Sequence, residues 1–144
     1  MYILERTFEV PIGHRLSKHK RKCRFVHGHN FVITVKIKSK TLNSDDMVID
    51  FSDIKRIVGT YLNDMYDHAC MINSNDQHYT KLDEMSSIVL TQGDPTAENL
   101  ACHLAHKFND IFMKGEVGSY ENNPTIHSVK VQEATGAAVT YVLD

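Results

Sequence analysis

The chain has 144 residues, a net charge of −2 and 42% hydrophobic residues, a composition typical of one soluble globular domain spanning residues 1–144. The near-neutral charge gives no reason to expect a nucleic-acid partner, and no apolar run is long enough to cross a membrane. The N-terminus lacks the features of a signal peptide, so we expect a cytoplasmic protein whose three cysteines are free thiols.

Two strands are predicted in the first 38 residues. Residues 2–10 are rich in β-branched and aromatic side chains, and Gly13 then permits a turn before His14. Residues 30–38 alternate between apolar and polar side chains, which predicts a half-buried antiparallel strand. If this strand extends back to residue 27, two histidines lie on its buried face.

Two helices are predicted in the middle of the chain. Apolar residues recur at helical spacing from a cap at Ser52 or Asp53 to about residue 66, and again from residues 94–96 to residue 112. Between them, residues 71–84 are polar and predict a loop, with a short strand over residues 88–90.

The last part of the chain predicts a hairpin formed by strands 126–133 and 137–143. The predicted element order is therefore strand, strand, helix, helix, strand, strand. This order favours an α+β fold in which two helices cover one face of a four-stranded antiparallel sheet. The unpaired edges of so small a sheet predict a homo-oligomer.

Three histidines are candidate metal ligands. His27 and His29 have the same strand parity as the apolar residues after them, and His14 lies upstream. Three imidazoles suit a zinc ion that keeps a fourth coordination position open for chemistry. Two other interpretations remain open: polar histidines without a metal, and a closed structural zinc site with Cys23 as fourth ligand.

Three further features could carry chemistry. Cys23 could act as a base, because a nearby metal or protonated imidazole favours a thiolate. The alternative is a buried structural thiol, which the charged neighbours Lys22 and Arg24 disfavour. Glu133 falls on the buried face of its predicted strand, where a carboxylate needs a partner, unless the strand frays there. The pair 67–68, aspartate and histidine, could transfer protons or simply end a helix.

Basic residues are concentrated between the first histidine and the second. Six of the sixteen basic residues lie in ten positions: Arg15, Lys18, Lys20, Arg21, Lys22 and Arg24. Such a cluster predicts attraction of a phosphate group. A solvated loop or a patch of the nuclear-localisation type is the alternative.

The motifs together resemble one known family, the 6-pyruvoyl-tetrahydropterin synthase / 6-carboxytetrahydropterin synthase family. They span residues 8–133, in the family's order. They are Phe8-x5-His14-Arg15-Leu16, Cys23-x3-His27-Gly28-His29-Asn30, Val48-Ile49-Asp50-Phe51, Asp67-His68, Pro95-Thr96-Ala97-Glu98-Asn99-Leu100-Ala101 and Glu133.

The resemblance implies a tunnelling fold, trimers or stacked hexamers, and an active site at the subunit interface. It implies 7,8-dihydroneopterin triphosphate as substrate and Zn²⁺ as cofactor. The implied site residues are His14, His27 and His29 for zinc, Cys23, Asp67 and His68 for catalysis, and Glu133, Thr96 and Glu98 for the pterin.

The three-residue gap between Cys23 and His27 resembles the 6-carboxytetrahydropterin synthases of queuosine biosynthesis. The expected reaction therefore yields 6-carboxy-5,6,7,8-tetrahydropterin, acetaldehyde and triphosphate. The alternatives are the pyruvoyl-forming synthase and a non-enzymatic zinc- or nucleotide-binding module. One departure from the family is local, since Ile12 and Gly13 replace the small residues that usually precede the first zinc histidine.

Overall fold

The computed structural model describes Met1–Asp144 as one six-stranded mixed sheet with helices. The strands are β1 (Tyr2–His14), β2 (His27–Ser39), β3 (Ala69–Asn73), β4 (Ser87–Thr91), β5 (Thr125–Ala134) and β6 (Ala137–Val142). The helices are α1 (Phe51–Ile54), α2 (Thr60–Tyr66), α3 (Tyr79–Asp83) and α4 (Ala97–Met113), with a π-helical turn (Lys55–Gly59) joining α1 to α2. The strand order is β4-β3-β1-β2-β5-β6.

The long β1–β2 hairpin forms the centre of the sheet and ends at a pair formed by His14 and His27. The predicted turn at Gly13 was wrong, because β1 continues through Pro11 and pairs Gly13 with Gly28. Pro11 is tolerated because its carbonyl oxygen accepts the backbone N–H of His68, on the side of β1 away from β2. Its missing N–H points to that same side, so the hairpin loses no hydrogen bond.

The prediction of a four-stranded antiparallel sheet was also wrong. β3 and β4 extend the sheet beyond β1 through parallel pairings, and all five residues of β3 are buried. A strand buried on both faces shows no alternation, and β3 is too short for its apolar run to be distinctive. The interpretation of residues 71–84 as a loop therefore missed the end of β3, and it also missed α3.

The two predicted long helices exist, but their arrangement differs from the expectation because β3, α3 and β4 separate them along the chain. The predicted cap at Ser52 or Asp53 was wrong, because Asp50 caps the first helix by accepting the backbone N–H of Ser52 at 2.7 Å. Thr96 caps α4, within the predicted range 94–96. Both helices pack against one face of the sheet and contribute to a single apolar core. Its members include Phe31, Ile33, Val58, Leu62, Leu104 and Phe108. None of the helices has the length and apolar character needed to cross a bilayer.

One edge of β1 remains open. β3 pairs only with Gly13 and His14, so residues 2–10 have a strand partner on the β2 side alone. Unpaired backbone N–H and C=O groups along such an edge can pair with another chain.

Candidate metal centre and adjoining cavity

The three candidate ligands converge where the central hairpin closes. His14 is the last residue of β1, and His27 and His29 lie at the start of β2 on the same face, as strand parity predicts. The Nε2 atoms of His14 and His27 are 3.1 Å apart. One ring nitrogen from each of the three histidines lies within 4.8 Å of the other two.

Hydrogen bonds to backbone carbonyl oxygens determine which ring nitrogens carry protons. The Nδ1–H of His14 donates to the carbonyl oxygen of Pro95 at 2.8 Å, and that of His27 donates to Phe25 at 2.7 Å. These tautomers, assigned from the hydrogen-bond network, leave the Nε2 lone pairs of both rings facing each other.

This arrangement fits a metal ion. Two facing lone pairs repel, and the Nε2 atom of His29 is buried without a hydrogen-bond partner. A zinc ion bound tetrahedrally at about 2.0–2.1 Å separates its ligand nitrogens by about 3.3 Å, close to the His14–His27 distance. One divalent cation would therefore engage all three lone pairs.

The surroundings keep His14 in its neutral form, which is the form that binds metals. Burial lowers the pKa of His14, while the bond to Pro95 and the charge of Glu133 oppose this shift only in part. The ring of Phe31 contacts His14 and His29 edge-on, with ring centroids 5.5 Å apart in both cases. An apolar wall therefore supports two of the ligands.

Glu133 approaches the same cluster from β5. Its Oε1 atom lies 3.4 Å from His14 Nε2 and 3.8 Å from His29 Nε2. Glu133, Thr96 and Glu98 line one cavity of about 370 Å³. The structure therefore brings the three predicted pterin-binding residues together beside the histidines, although the Thr96 hydroxyl also accepts the backbone N–H of Asn99 as the cap of α4.

The Asp67–His68 pair forms at the end of α2. Neighbouring residues within a helix point apart, but His68 has a φ of +61°, and its ring Nδ1 lies 2.8 Å from Asp67 Oδ1. His68, which is largely exposed, lines a second cavity of about 640 Å³ together with His27 and His29. The pair therefore has the geometry in which a carboxylate orients an imidazole.

Cys23 lies apart from this pair. It is half-buried on a 3₁₀ turn, Lys22–Arg24, just before β2, and it lines neither cavity. Neither of these two cavities therefore contains both Cys23 and His68. Cys70 does line the second cavity, but burial raises the pKa of its thiol and the charge of Asp76 adds to the shift, so it is a poor thiolate donor.

Sequence reasoning missed the roles of Pro95 and Asp94. Pro95 supplies the carbonyl that orients His14, and no sequence pattern marks such a carbonyl. The Asp94 carboxylate accepts hydrogen bonds from the Ser17 hydroxyl (2.5 Å), the Lys18 backbone N–H (2.8 Å) and the side chain of Asn73 (3.0 Å). Burial alone would raise the pKa of Asp94, but these bonds lower it below its ordinary value.

Arg15 forms an ion pair that we expect to stabilise the fold. Its Nε atom lies 2.5 Å from Oδ2 of Asp76, whose side chain is fully buried. Arg15→Gln would leave that carboxylate without its charged partner, so we expect the free energy of unfolding to fall by about 3 kcal/mol. Urea denaturation measures the change, with Arg21→Gln, at an exposed position, as control. Equal midpoints for the two variants would contradict the structural role.

The fold and site together define an α+β domain with a three-histidine cluster that could hold a metal ion, beside a cavity sized for a small molecule. The sequence profile of the 6-pyruvoyl tetrahydropterin synthase family matches residues 3–143. The chain belongs to this family of tetrahydropterin synthases, which confirms the resemblance found in the sequence motifs.

Two bacterial relatives are named 6-carboxy-5,6,7,8-tetrahydropterin synthase. The chain is 33% identical to that of Rickettsia felis over 93% of this chain and 95% of the relative. It is 35% identical to that of Rickettsia conorii over 76% and 79%.

Solved structures share the fold. An uncharacterized protein of Wolinella succinogenes superposes with a TM-score of 0.82 at 19% identity, covering 99% of this chain and 98% of that one. The 6-pyruvoyl tetrahydropterin synthase of Caenorhabditis elegans gives 0.67 at 24% identity, covering 99% and 96%. At these identities the likeness supports the architecture only.

Proposed function

We propose that the chain is a single catalytic domain that converts 7,8-dihydroneopterin triphosphate and water to 6-carboxy-5,6,7,8-tetrahydropterin, acetaldehyde and triphosphate in the cytoplasm, with zinc as cofactor. One observation carries the proposal: three imidazole lone pairs converge beside a cavity lined by Glu133. The names of the Rickettsia relatives support the carboxy-forming reaction.

His14, His27 and His29 would hold the zinc ion. When bound, zinc supplies Lewis acidity toward the hydroxyl groups of the substrate's side chain. The apolar contact with Phe31 and the hydrogen bonds to Pro95 and Phe25 keep the ligand rings oriented before the metal binds.

The proton transfers are assigned to three residues. Cys23, as thiolate, takes a proton from a side-chain carbon of the substrate. His68 returns a proton elsewhere on the substrate. Asp67 accepts the Nδ1–H of His68, so that Nε2 faces outward as the exchanging nitrogen.

We propose that a second copy of the chain completes the site in a trimer or hexamer. Within one copy, Cys23 does not line the cavities that contain Asp67 and His68. Residues 2–10 of β1 present an unpaired edge on which a neighbouring sheet could add a strand. Association through this edge would let Cys23 of one subunit act with His68 of the next.

Glu133 is proposed to bind the pterin ring. A pterin presents a ring N–H and a 2-amino group side by side, and one carboxylate accepts both. We expect Glu133→Gln to raise KM for the substrate at least about tenfold, because the amide replaces one charged acceptor with a donor. Steady-state kinetics measures KM, and Glu121→Gln, on an exposed loop, is the control. An unchanged KM would remove Glu133 from pterin binding.

Product analysis tests the reaction itself. The purified zinc-loaded protein is incubated with dihydroneopterin triphosphate, and acetaldehyde and the pterin product are quantified. We expect acetaldehyde and 6-carboxytetrahydropterin in equal amounts. A pyruvoyl product without acetaldehyde would assign the second candidate, which the name of the matching family favours. Intact substrate would contradict both and leave a non-enzymatic binding module.

A further inference from the structure

The basic cluster lies in the connection between two proposed metal ligands. Residues 15–26 join His14, at the end of β1, to His27, at the start of β2. Leu16, in the same connection, lines the cavity that contains Glu133. The connection that carries the cluster therefore joins two of the histidines, and its Leu16 reaches the proposed pterin cavity.

Two of the six cations are occupied within the fold. Arg15 forms the ion pair with buried Asp76. The guanidinium of Arg24 donates to the carbonyl oxygens of Lys20 and Arg21 at 3.1 and 3.2 Å and lies 4.4 Å from the ring centroid of Phe25. The charge of Arg15 is therefore neutralised within the fold, and Nη1 of Arg24 is engaged in shaping the loop.

The other four cations are Lys18, Lys20, Arg21 and Lys22. All four are exposed, and none forms an ion pair. Two acids bond to the loop: Asp76 is paired with Arg15, whereas Asp94 accepts only neutral donors and keeps one negative charge at the Lys18 backbone. Residues 15–26 contain no acidic side chain, so exposed positive charge predominates on this loop.

The loop is held in shape before any ligand arrives. The backbone N–H of Leu16 donates to the carbonyl of Cys23 at 2.9 Å, which closes the loop. The backbone N–H of Arg21 donates to Nδ1 of His19 at 3.0 Å. Asp94 ties the backbone of Lys18 to the start of α4. Little backbone entropy is therefore lost when the free cations meet an anion.

We infer that Lys18, Lys20, Arg21 and Lys22 form a binding element for the triphosphate group of the substrate, with Arg15 and Arg24 as its supports. This inference rests on the proposed function, since it extends the same site. A triphosphate carries several negative charges on a flexible chain. Several cationic side chains spread over one loop therefore suit it better than a single bidentate arginine. Because the cations are exposed, salt weakens the attraction.

A triple variant tests the element. Lys18, Lys20 and Lys22 are replaced by glutamine, and the control replaces three exposed lysines elsewhere, Lys40, Lys81 and Lys114. The probe is inorganic triphosphate, titrated calorimetrically into the zinc-loaded protein at two salt concentrations. We expect its Kd to rise about tenfold or more in the loop variant, since three modest ion pairs are lost, and less than twofold in the control.

Further measurements separate this inference from the proposed function. Binding of dephosphorylated dihydroneopterin should be equal in both variants, and KM for the triphosphate substrate should rise only in the loop variant. Equal loss of triphosphate affinity in both variants, or no loss in the loop variant, would overturn the inference. If the wild type binds triphosphate through the loop but releases no acetaldehyde, the loop assignment survives and the proposed reaction fails.

Discussion

His29→Ala is expected to lower zinc affinity at least about 100-fold and to abolish turnover while the chain stays folded. Loss of an outer hydrogen-bond partner of a metal ligand already costs about 10–100-fold, and loss of a ligand costs more. His29 is preferable to His14 for this test. Its side chain is 23% exposed, whereas His14 is fully buried and bonded to Pro95, so its removal would also disturb packing.

The matched control is His127→Ala. His127 is also half-buried on a strand and also has a buried ring nitrogen without a partner, but it lies outside the cluster. Competition with a chromophoric chelator gives the zinc affinity, and circular dichroism checks the fold. A His29→Ala protein that binds zinc as tightly as the control would show that the cluster is not the metal site.

Cys23→Ala is expected to lower kcat about 10²- to 10⁴-fold, the usual contribution of a positioned acid or base. Zinc content should not change, because Cys23 is not part of the histidine cluster. A lower kcat with unchanged zinc content distinguishes the proposed catalytic thiolate from the closed structural site. In that site Cys23 would be a fourth ligand, and its loss would release the metal.

Cys102→Ala is the control for this variant, since Cys102 is likewise a half-buried free thiol, on α4. Single-turnover kinetics with metal analysis of the same sample gives both quantities. Full activity in Cys23→Ala would end its assignment as base. If Cys23→Ala loses zinc while Cys102→Ala keeps it, the closed structural zinc site is favoured.

Several features of the site follow from residue order alone. His27 and His29 share a strand parity with Phe31, and this parity is sufficient to place both rings on the buried face of β2. Asp67 and His68 are adjacent in the chain, but adjacency alone does not bring their side chains together. Their hydrogen bond depends on the positive φ of His68, which no residue pattern indicated. The family motifs, by contrast, were readable because they are spread over almost the whole chain in one order.

Sequence by itself determined the α+β class, the family and the identity of the candidate ligands, because these depend on local periodicity and on side-chain types at set spacings. Only the tertiary structure decided the two extra strands, the Pro95 carbonyl that orients His14, and which cations of the basic loop remain free. Each of these depends on partners distant in sequence. Arg15 and Asp76, for example, are neutralised by one another only after β1 and β3 have come together.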